Sequence, residues 1–351
     1  MRGVIRQRLI RASCVPVLFA LVLAVSFALT GCFGMTQPPQ VAAYVNGVVI
    51  EEDDVTDFIE GFRNKNAQYE TDSEWAEFLK SNGYTSESLR SYVLDTVFIP
   101  QELIRQECAK LGIQIGDTDL DEVIKQEKEY YEKRYGVNSW DSVLASYGYD
   151  EETWRENELN RLLEEQLRTM TIGAVTPTEA EIQAQANASA SAYNGKDSYY
   201  IRFGSQEEAQ NVRNRLASSG EHVTLGEFER LGDAVHAGWN SLPANRDAMS
   251  TEYLQVVGEL DVDTVSEPVS VDGMWTLIYC DAVFNVGAGG ESVVLRTIPK
   301  EIYEQIVADA TEVKADQLFD EWLDRLASES DVVIEPMPAG LPYNVSSTYV
   351  E

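Results

Sequence analysis

The sequence predicts an α+β fold with a largely helical first part, a smaller mixed α/β part, and a closing helix and strand. Between residues 50 and 195, apolar residues recur at helical spacing and no strand pattern intervenes. From Ser198 to Cys280 the pattern changes to strand, helix, helix, turn, helix and strand. A helical pattern from Pro299 to Leu326 and a strand candidate at 331–335 follow. With 44% hydrophobic residues, the chain of 351 residues can bury a core, and its length suits roughly two or three domains.

Residues 1–31 are predicted to be a lipoprotein signal peptide. Arginines without acids begin the chain, and an almost purely apolar run from Val15 to Leu29 follows, as in secretory signals. The run closes on Leu29-Thr30-Gly31-Cys32, which resembles a bacterial lipobox. That resemblance implies cleavage after Gly31, lipidation of Cys32 and a lipid-anchored tether at residues 32–40. An uncleaved anchor is the alternative, because about 18 uncharged residues could just span a bilayer.

The charge balance excludes some partners. The chain has 59 acidic and 27 basic residues and a formal net charge of −32 at pH 7. Nucleic acid and anionic lipid surfaces would repel it, so neither is an expected partner. A solvated acidic surface explains the charge more simply than an acid-driven binding function. Beyond Cys14 and Cys32, Cys108 and Cys280 form neither a disulfide framework nor a zinc site.

Residues 41–195 are predicted to open on a hairpin and to continue as helices. Val41–Ile50 places two apolar runs around Asn46-Gly47, which is typical of a tight hairpin turn. Acids at 51–54 then begin a helix, where the helix dipole favours them. Further helices are predicted at 73–81, 86–111 with a kink at Pro100, 118–134, 139–146, 151–171 and from Thr176 towards Gly195.

Residues 196–285 are predicted to form the mixed domain. Its expected elements are a strand at 198–203, helices at 206–217, 224–231 and 250–257, and a strand from Met274 to Tyr279. Residues 232–245 are expected to be an irregular turn region. The glycine-rich stretch at 285–290 lacks the Lys-Ser/Thr of a phosphate-binding loop. Residues 286–337 hold the closing helix and strand, and 338–351 are predicted to be a loose tail.

The first residues of the helical part resemble a known family. Val45-Asn46-Gly47, with Ile50 and Asp54 behind it, is similar to the start of the N-terminal domain of SurA- and PrsA-type extracytoplasmic chaperones. In that family the chain returns after an inserted domain to complete the first one. The resemblance therefore implies a discontinuous first domain, with the helix from Pro299 packed on the early helices and Val332–Ile334 paired near Val45–Ile50.

The stretch from Leu260 to Cys280 carries a second resemblance. Val265-Ser266-Glu267-Pro268-Val269, followed by Asp272-Gly273 and a strand, is similar to the C-terminal half of the parvulin family of peptidyl-prolyl isomerases. The order of elements over 196–285 agrees with the parvulin layout. The resemblance implies that the inserted domain is parvulin-like.

The parvulin resemblance also implies where catalytic groups would stand. The two histidine positions of the family hold Tyr200 and Trp275, and Asp233 matches the acid or cysteine of the family's loop. The chain's histidines, His222 and His236, align with neither family position, and neither is expected to be catalytic. No catalytic residue is therefore assigned.

The same resemblance implies a substrate-binding slot. Met249 matches the methionine of the family's proline pocket, Tyr253 stands where a phenylalanine is usual, and Trp239 follows Gly238 in a retained Gly-Trp pair. These three side chains are the predicted substrate-binding residues. They could form a hydrophobic slot for a proline or another apolar side chain.

The family's reaction needs no cofactor. An X-Pro amide rotates over a barrier of about 18–20 kcal/mol, and a site accelerates the rotation by supporting the twisted amide better than the planar one. Because phenol and indole cannot titrate like imidazole, weak or absent isomerase activity is predicted. A working isomerase that uses altered groups is the alternative.

The resemblance implies a membrane-anchored folding factor on the extracytoplasmic face, with unfolded or partly folded secreted proteins as partners and a homodimer as one option.

Other chemistry fits the sequence less well. No Gly-x-Ser-x-Gly nucleophile elbow occurs, and no zinc-ligand spacing occurs. Asp117, Asp119 and Asp121 begin like a calcium loop, but Glu122 replaces the required glycine and Lys128 the bidentate glutamate. No metal is therefore expected. A solute-binding lipoprotein is the alternative from another class, although such proteins show repeated βα units with a parallel sheet.

Overall fold

The computed structural model describes residues 40–147, 149–217, 222–287 and 293–345, which form helices and antiparallel sheets. The strands are β1 (Val41–Val45), β2 (Val48–Glu51), β3 (Gly195–Phe203), β4 (Val235–Trp239), β5 (Thr264–Val265), β6 (Val269–Val271), β7 (Met274–Phe284) and β8 (Val332–Ile334). The α-helices are α1 (Glu52–Lys65), α2 (Asp72–Ser81), α3 (Ser86–Val93), α4 (Ile99–Leu111), α5 (Asp117–Tyr135), α6 (Trp140–Tyr147), α7 (Glu151–Ile172), α8 (Glu179–Ser189), α9 (Gln206–Ala217), α10 (Leu225–Glu229), α11 (Pro243–Ala248), α12 (Thr251–Glu259) and α13 (Lys300–Glu329). The predicted α+β class is confirmed.

The described residues fall into two compact units. One unit combines the chain up to Ala174 with the chain from Leu318, and the other spans Val175–Gln317. The sequence-based boundaries were 195/196 and 285/286. The difference arises because Ile182 and Ala186 of α8 pack with Ile302 and Ile306 of α13 inside the second unit.

The first unit is discontinuous, and its sheet has the order β2-β1-β8. Asn46 and Gly47 both have positive φ, 52° and 83°, which suits the tight turn between β1 and β2. Strand β8 returns from the end of the chain and pairs with β1, with Ala43 opposite Ile334. The expected pairing of the C-terminal strand with the opening hairpin is confirmed.

A buried ion pair links distant parts of the first unit. The Arg90 guanidinium lies 2.6 Å from Glu52 Oε2 and donates to the carbonyl oxygens of Ala42 and Glu335 at 3.3 and 3.0 Å. Tyr343 donates its hydroxyl to Glu52 at 3.2 Å and is fully buried in the same core. The prediction of a loose tail from residue 338 is therefore wrong for this part of it, because the Tyr343 ring fills a core position.

The long helical pattern at 86–111 contains a π-helical turn, Leu94–Phe98, between α3 and α4. This turn comes directly before Pro100, which stands in the first turn of α4. Proline lacks an N–H and cannot continue the i→i−4 ladder, so the irregular turn lies upstream of the expected kink.

The second unit holds a sheet in the order β4-β3-β7-β5, with β6 also paired to β7. Ile201 and Leu277 face one core that α9 and α10 cover, while Ile278 faces a second core under α12. Strand β4 was not predicted, because its residues, Val-His-Ala-Gly-Trp, do not alternate between apolar and polar side chains. Gly238 in this strand has φ +80°, and a Cβ there would lie 2.5 Å from the Asn245 amide.

Candidate functional site

A groove of about 200 Å³ opens on the α12 side of the second sheet. Strand β3, the stretch around α11 and α12, and the β6–β7 turn contribute its walls. Its lining includes Tyr200, Arg202, His236, Met249, Tyr253, Val271 and Asp272. Three residues predicted from the sequence, Tyr200, Met249 and Tyr253, thus lie together.

The floor of the groove is aromatic. The Tyr200 and Tyr253 rings meet edge to face, with centroids 5.8 Å apart and an interplanar angle of 81°. Tyr253 is 4% exposed, and its hydroxyl lies 3.1 Å from Ser198 Oγ. Burial raises the pKa of the Tyr253 phenol, so the ring stays neutral at physiological pH. The floor can therefore accept an apolar side chain without burying a charge.

Trp275 lies on the opposite face of the sheet from Tyr200. It pairs with Phe203 across β3 and β7 and packs in the core that α9 covers. The β7 residue opposite Tyr200 is Ile278, whose side chain packs in the same cluster as Tyr200. Since successive side chains of a strand alternate between faces, Trp275 and Tyr200 cannot form one site. The two positions that the family resemblance assigned to histidines do not meet.

Trp239 and Asp233 also lie away from the groove. The Trp239 ring is 4% exposed and belongs to a core with Ile182, Phe284 and Ile302. Asp233 is exposed in the segment before β4 and does not line the groove. Trp239 therefore packs in the core of the second unit and does not line the groove.

His236 reaches the groove but is engaged elsewhere. Its Nε2 lies 2.7 Å from Asp197 Oδ1, and its ring stacks on Tyr199 with centroids 4.4 Å apart. His222 is exposed in the loop before α10. His236 is thus the histidine among the residues that line the groove, and its Nε2 is paired with the Asp197 carboxylate.

The sequence reasoning missed two charged groups at the groove. The Arg202 guanidinium lies 5.1 Å from the centroid of the Tyr200 ring, and its Nη2 lies 3.7 Å from Asp272 Oδ2. Arg202 stands two residues after Tyr200 in a predicted strand, and a period of two places both on one face. The strand pattern could therefore have identified Arg202.

A second groove, of about 690 Å³, lies in the first unit. It runs between α2, the start of α3 and the segment from Pro336 to Val345, with Leu79, Tyr84 and Met337 among its walls. No sequence pattern indicated this groove, because the segment from residue 338 was expected to be a tail.

Cys32 and the predicted signal peptide lie outside the described residues. No helix within the described ranges has both the length and the apolar character needed to cross a bilayer. In the same part of the chain, no group of three or more His, Cys, Asp or Glu side chains is placed to hold a metal ion.

Comparison with known proteins finds similarity to a SurA-like domain and to PrsA foldases. Residues 3–168 match the family model of the SurA-like N-terminal domain. The foldase protein PrsA of one Clostridium perfringens strain is 22% identical over 235 residues, covering 64% of this chain and 67% of the relative. PrsA of a second strain is 22% identical over 201 residues, or 54% of this chain and 58% of the relative. The chain thus spans less than two thirds of that second relative.

Solved structures give weaker similarities. A chain from a study of PEB4 and Cj1289, two SurA-like chaperones of Campylobacter jejuni, aligns with a TM-score of 0.39 and 13% identity, over 85% of this chain and 99% of that one. PrsA from Bacillus subtilis aligns with a TM-score of 0.32 and 13% identity, over 86% and 96%.

Proposed function

We propose that this chain is an extracytoplasmic folding factor that binds unfolded secreted proteins, because residues 3–168 match the SurA-like N-terminal domain and the chain is similar to PrsA foldases. A lipid on Cys32 would hold it on the outer face of the cell membrane, as the lipobox-like sequence suggests. A homodimer is one arrangement for this function, and sedimentation of the soluble form would detect it. The antiparallel sheets of the described residues do not favour a solute-binding lipoprotein, for which repeated βα units would be expected.

The second unit would supply a peptide-binding groove with weak or absent isomerase activity. The observation that carries this proposal is the floor of the groove, where Tyr200 and Tyr253 meet edge to face. Catalysis of proline isomerisation requires groups that support the twisted amide better than the planar one. The groove offers neutral phenols, and the imidazole of His236 is paired with Asp197. These features favour holding a client over accelerating its isomerisation.

Suppression of client aggregation tests the folding function. The form that begins at residue 33 is added to a chemically unfolded secreted protein, and light scattering is followed during dilution. We expect less scattering at a stoichiometric ratio, and a weaker effect for Met249→Ala, which shortens a half-buried wall of the groove. No suppression by the unmodified form would contradict the proposal.

A protease-coupled assay on an X-Pro peptide tests the second part of the proposal. We expect isomerisation at the uncatalysed rate of the peptide alone, which corresponds to tens to hundreds of seconds. A large acceleration that is lost in both Met249→Ala and Tyr253→Ala would instead assign a working isomerase.

A further inference from the structure

We propose that the groove prefers client segments in which a carboxylate stands two residues from an apolar side chain, with Arg202 as the carboxylate-binding residue. This inference rests on the proposed client-binding function of the same groove. It names the chemistry of the client, which neither the fold nor the sequence comparisons provide.

The guanidinium of Arg202 is held in place but has free donors. Its carbon lies over the Tyr200 ring at 5.1 Å, a favourable position for a cation. The separation from Asp272 is 3.7 Å, which is too long for a hydrogen bond. Within the described ranges, the Arg202 guanidinium donates no hydrogen bond. By contrast, Arg213 of the same unit donates its Nε–H to the Ser266 carbonyl at 3.1 Å.

A free guanidinium beside an apolar floor suits a carboxylate ligand. Guanidinium is planar and presents paired donors that match the two oxygens of a carboxylate. Stacking on Tyr200 restricts the Arg202 side chain, so less conformational freedom is lost when a ligand binds. The arginine is 45% exposed at its side chain, so a ligand can reach it from solvent.

The distance between Tyr200 and Arg202 sets the spacing of the two client side chains that would contact them. Tyr200 and Arg202 lie on one face of β3, two residues and thus about 6.6 Å apart along the strand. An extended client has the same repeat between side chains on one face. A client residue over the Tyr200–Tyr253 floor therefore places the side chain two positions away beside Arg202.

Asp272 weakens the expected preference of the groove for a carboxylate. Its carboxylate is 61% exposed and lies 3.7 Å from the guanidinium, so it offsets part of the positive charge without occupying the donors. Removing the charge of Asp272 should therefore strengthen carboxylate binding. This effect has the opposite sign to that of removing Arg202, and a purely structural role of the pair would not produce it.

Peptide titration of the full chain tests the inference. The probe is a blocked peptide with a central Phe-Pro and glutamate two positions from the phenylalanine on each side, compared with its glutamine counterpart. We expect the glutamate peptide to bind about threefold to tenfold more tightly at low salt. The preference should weaken with added salt. A third peptide, with glutamine side chains and a free terminal carboxylate at the same spacing, distinguishes a chain end from an acidic side chain as the source.

Variants separate the outcomes. Arg202→Gln should abolish the preference for glutamate over glutamine, and Asp272→Asn should increase that preference. Arg230→Gln is the matched control, since Arg230 is exposed and does not line the groove. Equal binding of the glutamate and glutamine peptides would overturn the carboxylate assignment and leave the client-binding function standing. Binding of none of the peptides would overturn both.

Discussion

The ion pair between Glu52 and Arg90 gives a quantitative expectation for the stability of the first unit. Arg90 is 1% exposed, and its guanidinium contacts both Glu52 carboxylate oxygens at distances of 2.6–3.0 Å. Glu52→Gln keeps the shape of the side chain but removes its charge, which leaves the Arg90 charge buried among neutral acceptors. Removing one partner of a buried pair costs about 3–5 kcal/mol. We expect the free energy of unfolding to fall by about that amount.

Urea unfolding followed by tryptophan fluorescence measures the change, and hydrogen exchange of the β1 and β8 amides assigns it to the first unit. Glu122→Gln is the control, because Glu122 and Lys125 form an exposed pair at 3.8 Å. Its cost should stay below about 0.5 kcal/mol. Replacing both partners together, by Glu52→Leu and Arg90→Met, should cost less than Glu52→Gln alone. A loss below about 1 kcal/mol for Glu52→Gln would show that the buried pair does not stabilise the first unit in this way.

Further expectations concern the helices and the C-terminal segment. Tyr343→Ala should destabilise the first unit by about 3–5 kcal/mol in the same urea assay, because the ring is fully buried, and a loss below about 1 kcal/mol would contradict its core role. Burial and the neighbouring Glu158 raise the pKa of Glu127 to about 7. Because the folded chain then holds this proton more tightly than the unfolded chain, stability should decrease as pH rises from about 4.5 to 7. Glu127→Gln should reduce that decrease, and an unchanged pH profile would contradict the assignment. Thr178→Ala removes a capping box at α8 and should cost about 1 kcal/mol in thermal unfolding, whereas Thr178→Ser should cost less.

Local signals in the sequence were sufficient for most helices and for the opening hairpin. Asn46-Gly47 specifies a tight turn because both residues tolerate positive φ. Helix α9 begins and ends at the residues that its apolar spacing predicts. These signals depend on neighbours in the chain, so no long-range contact is needed to identify them.

The groove could be predicted only in part, because the face of a strand residue depends on its register. Met249, Tyr253 and Tyr200 were identified from the family resemblance and lie together. Trp275 was placed in the site by the same resemblance, yet its side chain packs on the other face of the sheet. A shift of one residue in a strand reverses every side chain, and sequence spacing alone does not fix that register.

Side-chain contacts between distant residues could not be predicted from the sequence. Glu52, Arg90 and Tyr343 each look like ordinary surface or tail residues in their local patterns. Their burial depends on the return of β8 and of the following segment to the hairpin. The pairing of β8 was anticipated from the family resemblance, but no pattern indicated which side chains would meet.

We propose that the groove binds client segments and accelerates proline isomerisation weakly or not at all. Exchange NMR on an X-Pro peptide tests it most directly, because one sample reports both binding and the cis–trans rate. We expect the Met249 methyl resonance to shift as the peptide saturates the groove, while the exchange rate of the peptide stays at its uncatalysed value. Faster exchange in the presence of the protein, lost in Met249→Ala, would contradict the claim.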